Sequence, residues 1–387
     1  MTDRRAQAVH NPVRTVFGNG AVDAAREAVA NRRCVVITTE GMVARGTLGR
    51  LEAVLGPSSP VVSTFTDVVP NPTIASCTTA FEAVRDADAE VLVALGGGSA
   101  IDTTKAVAAQ VAHASVPGWL AGHLRDAVPF GPDAATPRIV AVPTTAGTGS
   151  EVTMWATIWD EQQPGKHSVS HPSLYPETAI LDPELTLSVP RATTVASALD
   201  ALSHAMEAIW NRAASPESDA YAVRAIGLIP GALRAALATP DDISPREALL
   251  SGSLAAGLAI SSTRTALAHS ISYPLTAEMG LPHGVACSMT LPELLLAVAE
   301  RVPERSDLIV EALGRRSVEE AASGLRDLLA ASGADDVVRH HVSTVAELEN
   351  LAGGFIAPGR AENFVLDVDQ AWAAAILRRS AAAAGVG

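Results

Sequence analysis

Four side chains have the types and spacing to hold a metal ion. Asp200 and His204 stand four residues apart in the run Val195-Ala196-Ser197-Ala198-Leu199-Asp200-Ala201-Leu202-Ser203-His204, which reads as helix and puts both on one face. His269 lies in the helical run Ala266-Leu267-Ala268-His269-Ser270-Ile271, and His283 follows in Pro282-His283-Gly284, on or beside a loop that can fold back toward it. Three imidazoles and one carboxylate suit a borderline divalent ion such as Fe(II) or Zn(II). A single histidine on an apolar helix is more often a hydrogen-bonded core residue than a ligand, so the argument rests on the set. His340 and His341 sit beside Arg339 with no carboxylate at ligand spacing and read as solvated surface. His10, His113, His123, His167 and His171 have no ligand spacing either.

Two loops suggest a second kind of chemistry. Leu95-Gly96-Gly97-Gly98-Ser99-Ala100-Ile101-Asp102 follows an apolar strand and opens a helix. Bare glycines let the backbone approach a pyrophosphate, and the helix N-terminus offers N–H groups and a positive dipole end. The run is not the dinucleotide pattern G-x-G-x-x-G, and alone it is equally well explained as an ordinary strand-to-helix turn. The second loop, Pro143-Thr144-Thr145-Ala146-Gly147-Thr148-Gly149-Ser150-Glu151, puts hydroxyls and small residues where another parallel strand would end. That edge is where such sheets bind ligands, and hydroxyls there suit ribose and carboxamide groups. Of the 28 basic residues only Lys105 and Lys166 are lysines. In a chain so biased toward arginine, a lysine marks a place that wants a compact ammonium.

The elements that must position these residues divide the chain near residue 190. Residues 1–190 alternate short β-rich runs, at 34–38, 61–65, 91–95 and 139–142, with helical patterns near 42–55, 73–86 and 99–114. This is the signature of β-α-β units in a doubly wound, Rossmann-like α/β domain. Trp155–Trp159 and the segment after Lys166 flank a polar turn at 161–165, which predicts a hairpin. Residues 191–387 read as an all-α domain, broken by Pro and Gly at 230–231, 239–245 and 280–284. Two domains around one cleft suit 387 residues.

Composition excludes several functions. A net charge of -14 with no basic stripe argues against a nucleic-acid partner. No uninterrupted apolar run reaches membrane-spanning length and no signal core follows Met1, so the expectation is a cytoplasmic protein with no membrane partner. Cys34, Cys77 and Cys287 have no paired spacing, which fits a reducing compartment.

Taken in order, the segments resemble the iron-containing (group III) alcohol dehydrogenase family. The matching pieces are Phe65-x-Asp67-Val68-x-Pro70-Asn71-Pro72, Gly96-Gly97-Gly98-Ser99-x-x-Asp102-x-x-Lys105, the second loop, Asp182-Pro183, Asp200-x-x-x-His204, and His269 through Pro282-His283-Gly284. The resemblance implies the dehydroquinate synthase-like fold of that family, with Asp200, His204, His269 and His283 holding the metal between the domains. It implies NADH or NADPH as cofactor, with its phosphates against Gly97, Gly98 and Ser99. Thr144, Thr145 and Thr148 would hold the adenine and ribose side, Lys166 would reach the nicotinamide ribose, and Lys105 would close the first helical turn behind the phosphate loop. Thr39, Asn71, Gly96 and Asp102 join the cofactor-binding set on the same ground, and a homo-oligomer, in the simplest case a dimer, is expected.

Two departures from the family pattern bear on function. Thr39 stands where many members carry an acid for the adenosine ribose; a carboxylate there would repel a 2'-phosphate, so Thr39 leaves NADPH open. Tyr273, four residues after His269, replaces a histidine near the substrate and makes a phenol the candidate for proton relay. Arg264 lies just upstream of His269 where relatives for simple alcohols carry a small residue. A guanidinium there either anchors an anionic group on the substrate, or faces solvent or pairs with Glu278 or Glu207. The stretch Thr263–Thr276, with Lys166-His167-Ser168, looks most like the phosphonoacetaldehyde reductase branch. The expected reaction is hydride transfer from nicotinamide C4 to a small anionic aldehyde, 2-phosphonoacetaldehyde, giving 2-hydroxyethylphosphonate, with Arg264 as anion anchor. Sulfoacetaldehyde or an uncharged short aldehyde, a dehydroquinate-synthase-like lyase, and a non-catalytic nucleotide-binding protein are the alternatives.

Overall fold

The computed structural model describes residues 11–131, 134–162, 165–357 and 359–387; His10, Met1 and the centre of the 161–165 turn lie outside them. Eight strands are present among the described residues: β1 (Arg14–Phe17), β2 (Cys34–Ile37), β3 (Val61–Phe65), β4 (Val91–Gly96), β5 (Arg138–Pro143), β6 (Trp155–Asp160), β7 (Gly165–Ser170) and β8 (Thr178–Leu181). Six of them form one parallel sheet in the order β1-β8-β5-β4-β2-β3. Every residue of β2, β4 and β8 is buried, as expected for strands covered by helices on both faces. Strands β6 and β7 pair as an antiparallel hairpin with Trp159 opposite Lys166.

The neighbouring strands β4 and β5 matter most for function. Their register ends with Gly96 opposite Pro143, so the glycine loop and the hydroxyl loop leave the sheet side by side. The helical pattern at 42–55 is two helices, Glu40–Ala44 and Thr47–Leu55, because Gly46 between them takes a left-handed φ of 74°.

From Arg191 onward the described elements are helices. The Asp200 helix, Arg191–Ile209, is buried throughout its second half and packs against Pro216–Ala238 and Ile243–Thr263. Pro230 does not break the chain as its residue type suggests; it sits inside the helix Pro216–Ala238. Burial of Ile226, Ile229 and Leu233 on one face outweighs the lost backbone bond there. This helix has the length and hydropathy of a membrane span. That apolar face is the core face, however, while Arg224 and Arg234 point to the exposed side.

His283 opens the short helix His283–Ser288 rather than lying in a loop, so the four candidate ligands come from three helices and not two. The approach of this helix to the Asp200 helix is set by Gly284. A Cβ on Gly284 would lie 1.8 Å from the Ala196 carbonyl oxygen and 3.0 Å from the Asp200 Cβ. Backbone therefore meets backbone, and His283 is brought beside Asp200. Gly284→Ala is expected to cost at least about 1–3 kcal/mol, the usual overpacking range. It should appear as a lower urea midpoint at unchanged slope; an unaltered midpoint would show that the two helices separate freely.

Candidate active site

Asp200 is the focus of the metal cluster. Its Oδ1 lies 3.4 Å from His269 Nε2, 3.7 Å from His204 Nε2 and 3.9 Å from His283 Nε2. The His204 and His269 rings stack with centroids 4.6 Å apart. Asp200 Oδ1, His204 Nδ1 and His269 Nε2 are buried and have no hydrogen-bond partner. Leaving such atoms unpaired is costly, and a divalent cation between Asp200 Oδ1 and His269 Nε2 would satisfy those two; His204 approaches Asp200 through Nε2, not through its unpaired Nδ1. Burial pushes the Asp200 carboxyl up, but the three imidazoles outweigh it and hold it well below the usual carboxylate range. Burial pushes His204 down to about 4, and burial together with Lys166 lowers His283 well below the ordinary imidazole value. Burial lowers His269 as well, but Cys287, Glu207 and Asp200 beside it outweigh this and hold it well above the ordinary imidazole value. The ionised carboxylate and the neutral His204 and His283 are in the state that metal ligation requires, whereas His269 must give up a proton when a cation binds.

Two further residues complete this cluster. Glu207 is fully buried and accepts from the backbone N–H of Ala266 (3.0 Å), Ala268 (2.6 Å) and His269 (3.2 Å), and from His269 Nδ1 at 2.5 Å. With Nδ1 held by Glu207, His269 is oriented so that Nε2 faces Asp200 and would be available to a cation. Glu207 follows Asp200 and His204 at helical spacing on the same face, a pattern readable from sequence but not singled out. Cys287, one turn after His283, brings its Sγ into the group: ligand atoms of Asp200, His269, His283 and Cys287 all lie within 4.8 Å of one another, a set that does not include His204. Burial raises the Cys287 thiol, so it packs here as a neutral neighbour.

The two loops interlock through missing side chains. A Cβ on Gly97 would lie 2.9 Å from Thr145 Oγ1, and one on Gly98 would lie 2.5 Å from Thr148 Cγ2. The absent side chains let the threonines of the second loop pack against the glycine loop, and Gly98 and Ser99 line a cavity at the start of the helix Gly98–Ala112, where a phosphate cradle would lie. Lys105, expected to close the first turn of that helix, instead spans to the second loop. Its fully buried Nζ donates to Ser150 O (2.6 Å), Thr153 O (2.8 Å), Trp155 O (2.9 Å) and the hydroxyls of Ser150 and Thr153. Asp102 accepts from Ser150 Oγ at 2.5 Å and from the Thr157 N–H at 2.9 Å. Burial lowers Lys105 to about 8, against the pull of Asp102 and Glu151. A planar guanidinium could not take this five-oxygen cage, which accounts for the rare lysine.

One cavity joins the loops to the metal cluster. It is lined by Asn71, Gly98, Ser99, Asp102 and Thr148 as well as by Asp200, His204, His269 and His283. Lys166 and Tyr273 also line it; Lys166 Nζ lies 3.1 Å from His283 Nε2 and 4.7 Å from the Tyr273 ring centre. Gly96, Gly97, Thr144 and Thr145 stand behind this lining and build the loop contact. Thr39 caps the following helix and bridges to Asp67, away from the cavity. Arg264 is exposed, with its guanidinium 6.0 Å over the Trp155 ring in an adjoining recess, and it pairs with neither Glu207 nor Glu278. Arg360 lines the cavity although its sequence surroundings carry no motif. His113, His123 and His171 take no part and stack with Trp119 and Phe130 instead.

Residues 12–183 match the family model described as iron-containing alcohol dehydrogenase, and residues 194–352 match the C-terminal model of the Fe-containing alcohol dehydrogenase family. The chain belongs to the iron-containing alcohol dehydrogenase family. This dehydrogenase is 33% identical over 340 residues to long-chain-alcohol dehydrogenase 1 of Geobacillus thermodenitrificans, covering 88% of its own chain and 83% of the other. It is 38% identical over 267 residues to the phosphonoacetaldehyde reductase of Streptomyces viridochromogenes, covering 68% and 66%. Among solved structures, sulfoacetaldehyde reductase from Bifidobacterium kashiwanohense in complex with NAD+ superposes with a TM-score of 0.86 at 28% identity, covering 97% of this chain and 99% of that one. The dehydrogenase is an iron-dependent, NAD-linked oxidoreductase of alcohols and aldehydes, which decides against the lyase and non-catalytic alternatives. Glu207→Gln should weaken its metal affinity about 10- to 100-fold, as loss of an orienting carboxylate does elsewhere. Titration of the metal-free protein with Fe(II) measures this, and unchanged affinity would reduce Glu207 to a helix-packing role.

Proposed function

We propose that this dehydrogenase reduces 2-phosphonoacetaldehyde to 2-hydroxyethylphosphonate. The observation that carries the reading is the charge of the cavity wall beside the metal ligands. Lys166 and Arg360 both line it, and among the described residues neither pairs with a carboxylate. Arg264 stands in the recess next to them. In a chain of net charge -14, such a cationic wall suits an anionic substrate. The likeness to the Streptomyces phosphonoacetaldehyde reductase and to a sulfoacetaldehyde reductase supports the same class.

Asp200, His204, His269 and His283 would hold the iron, and the same donors would accept zinc. When bound, the ion supplies Lewis acidity for negative charge developing on a carbonyl oxygen. The backbone of Gly98 and Ser99, which lines one end of the cavity, would hold the cofactor pyrophosphate. Thr39 itself carries no charge, which leaves this position open to NADPH as well as NADH. Tyr273 Oη accepts from Arg360 Nε at 3.1 Å, which leaves its own proton free to be donated into the cavity as the alkoxide forms.

The test is an anaerobic assay of the Fe(II)-loaded protein, following oxidation of NADH and of NADPH with phosphonoacetaldehyde, sulfoacetaldehyde and propanal. A kcat/KM for the phosphonate about 100-fold or more above that for propanal is expected, the size of one well-placed charged contact. Preference for sulfoacetaldehyde would keep the anionic class and replace the phosphonate, whereas preference for propanal would end the proposal.

A further inference from the structure

If the substrate carries an anion, as proposed above, some group must hold it at a fixed distance from the metal ligands. Arg264 is the residue that sequence suggests. It ends the helix Ile243–Thr263 at a φ of 64°, it is exposed, and its guanidinium lies over the face of Trp155. A solvated guanidinium at a rim contributes little to binding.

Arg360 is placed differently. It is partly buried and lines three adjoining spaces: the metal cavity, the recess that also holds Arg264, and an outer opening that reaches Glu278 and His167. Its Nε donates to Tyr273 Oη at 3.1 Å, one Nη to Ser168 Oγ at 3.2 Å and the other to the Gly359 carbonyl at 2.9 Å. All three acceptors are neutral, so the cation is oriented without being neutralised. The recess is completed by Trp155, Ser168, Ser170 and Thr265, and no carboxylate is among its lining residues. Trp155 and Thr265 also line the metal cavity, so the recess opens onto the metal ligands. Two guanidiniums and three hydroxyls around one small space match the donors that a tetrahedral oxyanion needs.

The geometry points to Arg360 as the specificity-determining residue, taking the phosphonate or sulfonate of the substrate into this recess with Ser168, Ser170 and Thr265, while Arg264 acts as a weaker outer contact. This inference rests on the anionic-aldehyde reading and changes which residue carries it. Because Arg360 also holds the Tyr273 hydroxyl, substrate recognition and proton supply meet at one guanidinium.

Steady-state constants for wild type, Arg360→Ala, Arg360→Lys and Arg264→Ala should be measured with phosphonoacetaldehyde, sulfoacetaldehyde and propanal. Arg360→Ala should raise KM for both anionic aldehydes about 10- to 100-fold, the range for a lost charged hydrogen bond. Its KM for propanal should stay within about threefold of wild type, while any loss of kcat through the released Tyr273 hydroxyl should be shared by all three aldehydes; an unchanged urea midpoint shows that the variant is folded. Arg360→Lys should recover part of the loss because it restores the charge without the fork. Arg264→Ala should raise the same KM values by less than about fivefold, as a rim charge does. A wild type that prefers anionic aldehydes, with the KM of Arg360→Ala unchanged toward them or raised equally for propanal, would overturn the inference while leaving the substrate reading standing. A wild type that prefers propanal would overturn both.

Discussion

The helical half of the molecule is organised around one electrostatic constraint: the Asp200 carboxylate is buried among three imidazoles and its Oδ1 has no hydrogen-bond donor. A buried charge is tolerable only when something compensates it. Several local features make sense on those terms. Gly284 lets the His283 helix touch the Asp200 helix, Glu207 fixes the His269 ring, and Asp200 with His204 shares one face of a helix that is buried along its second half. Together they place donor atoms around Asp200, and Asp200 Oδ1 and His269 Nε2 are left without an internal partner, as a cation site requires.

The α/β half meets this cluster through a second buried charge. Lys105 fastens the helix after the glycine loop to the hydroxyl loop and to the start of the hairpin strand β6. Asp102 adds the Thr157 N–H to the same network. The hairpin in turn carries Lys166 and Ser168 to the metal end of the cavity. A chain of short contacts thus runs from the phosphate cradle to the substrate side. Two fixed ends on one cavity are what hydride transfer needs, because rate depends on holding the reacting carbons within a near-attack distance.

Local periodicity exposed most of these parts. The Asp200–His204 spacing, the apolar strands that end in the two loops, and the change from β-rich to helical pattern near residue 190 are all local features, and they single out the candidate ligands and the two loops that the fold brings to one cavity. What periodicity did not expose depends on tertiary placement. Arg360 is 77 residues beyond His283 in a segment with no motif and reaches the cavity only through the fold. Lys105 looked like part of a turn because nothing in its own helix shows that it bonds to Ser150, Thr153 and Trp155. Strand β8 is four residues long, and Pro230 survives inside a helix because core packing overrides local propensity. Arg264 had the right neighbours in sequence, but a left-handed backbone at the helix end turned it outward.

The most direct test of the metal cluster is thermal unfolding of metal-free protein with and without Fe(II) under anaerobic conditions, for wild type and Asp200→Asn. A cation that binds only the folded state raises the unfolding temperature by mass action. Wild type should gain several degrees on addition of a saturating ion, and Asp200→Asn, which keeps the shape but lacks the charge, should gain little or nothing. Equal shifts in both proteins, or none in wild type, would contradict a metal centre built on Asp200.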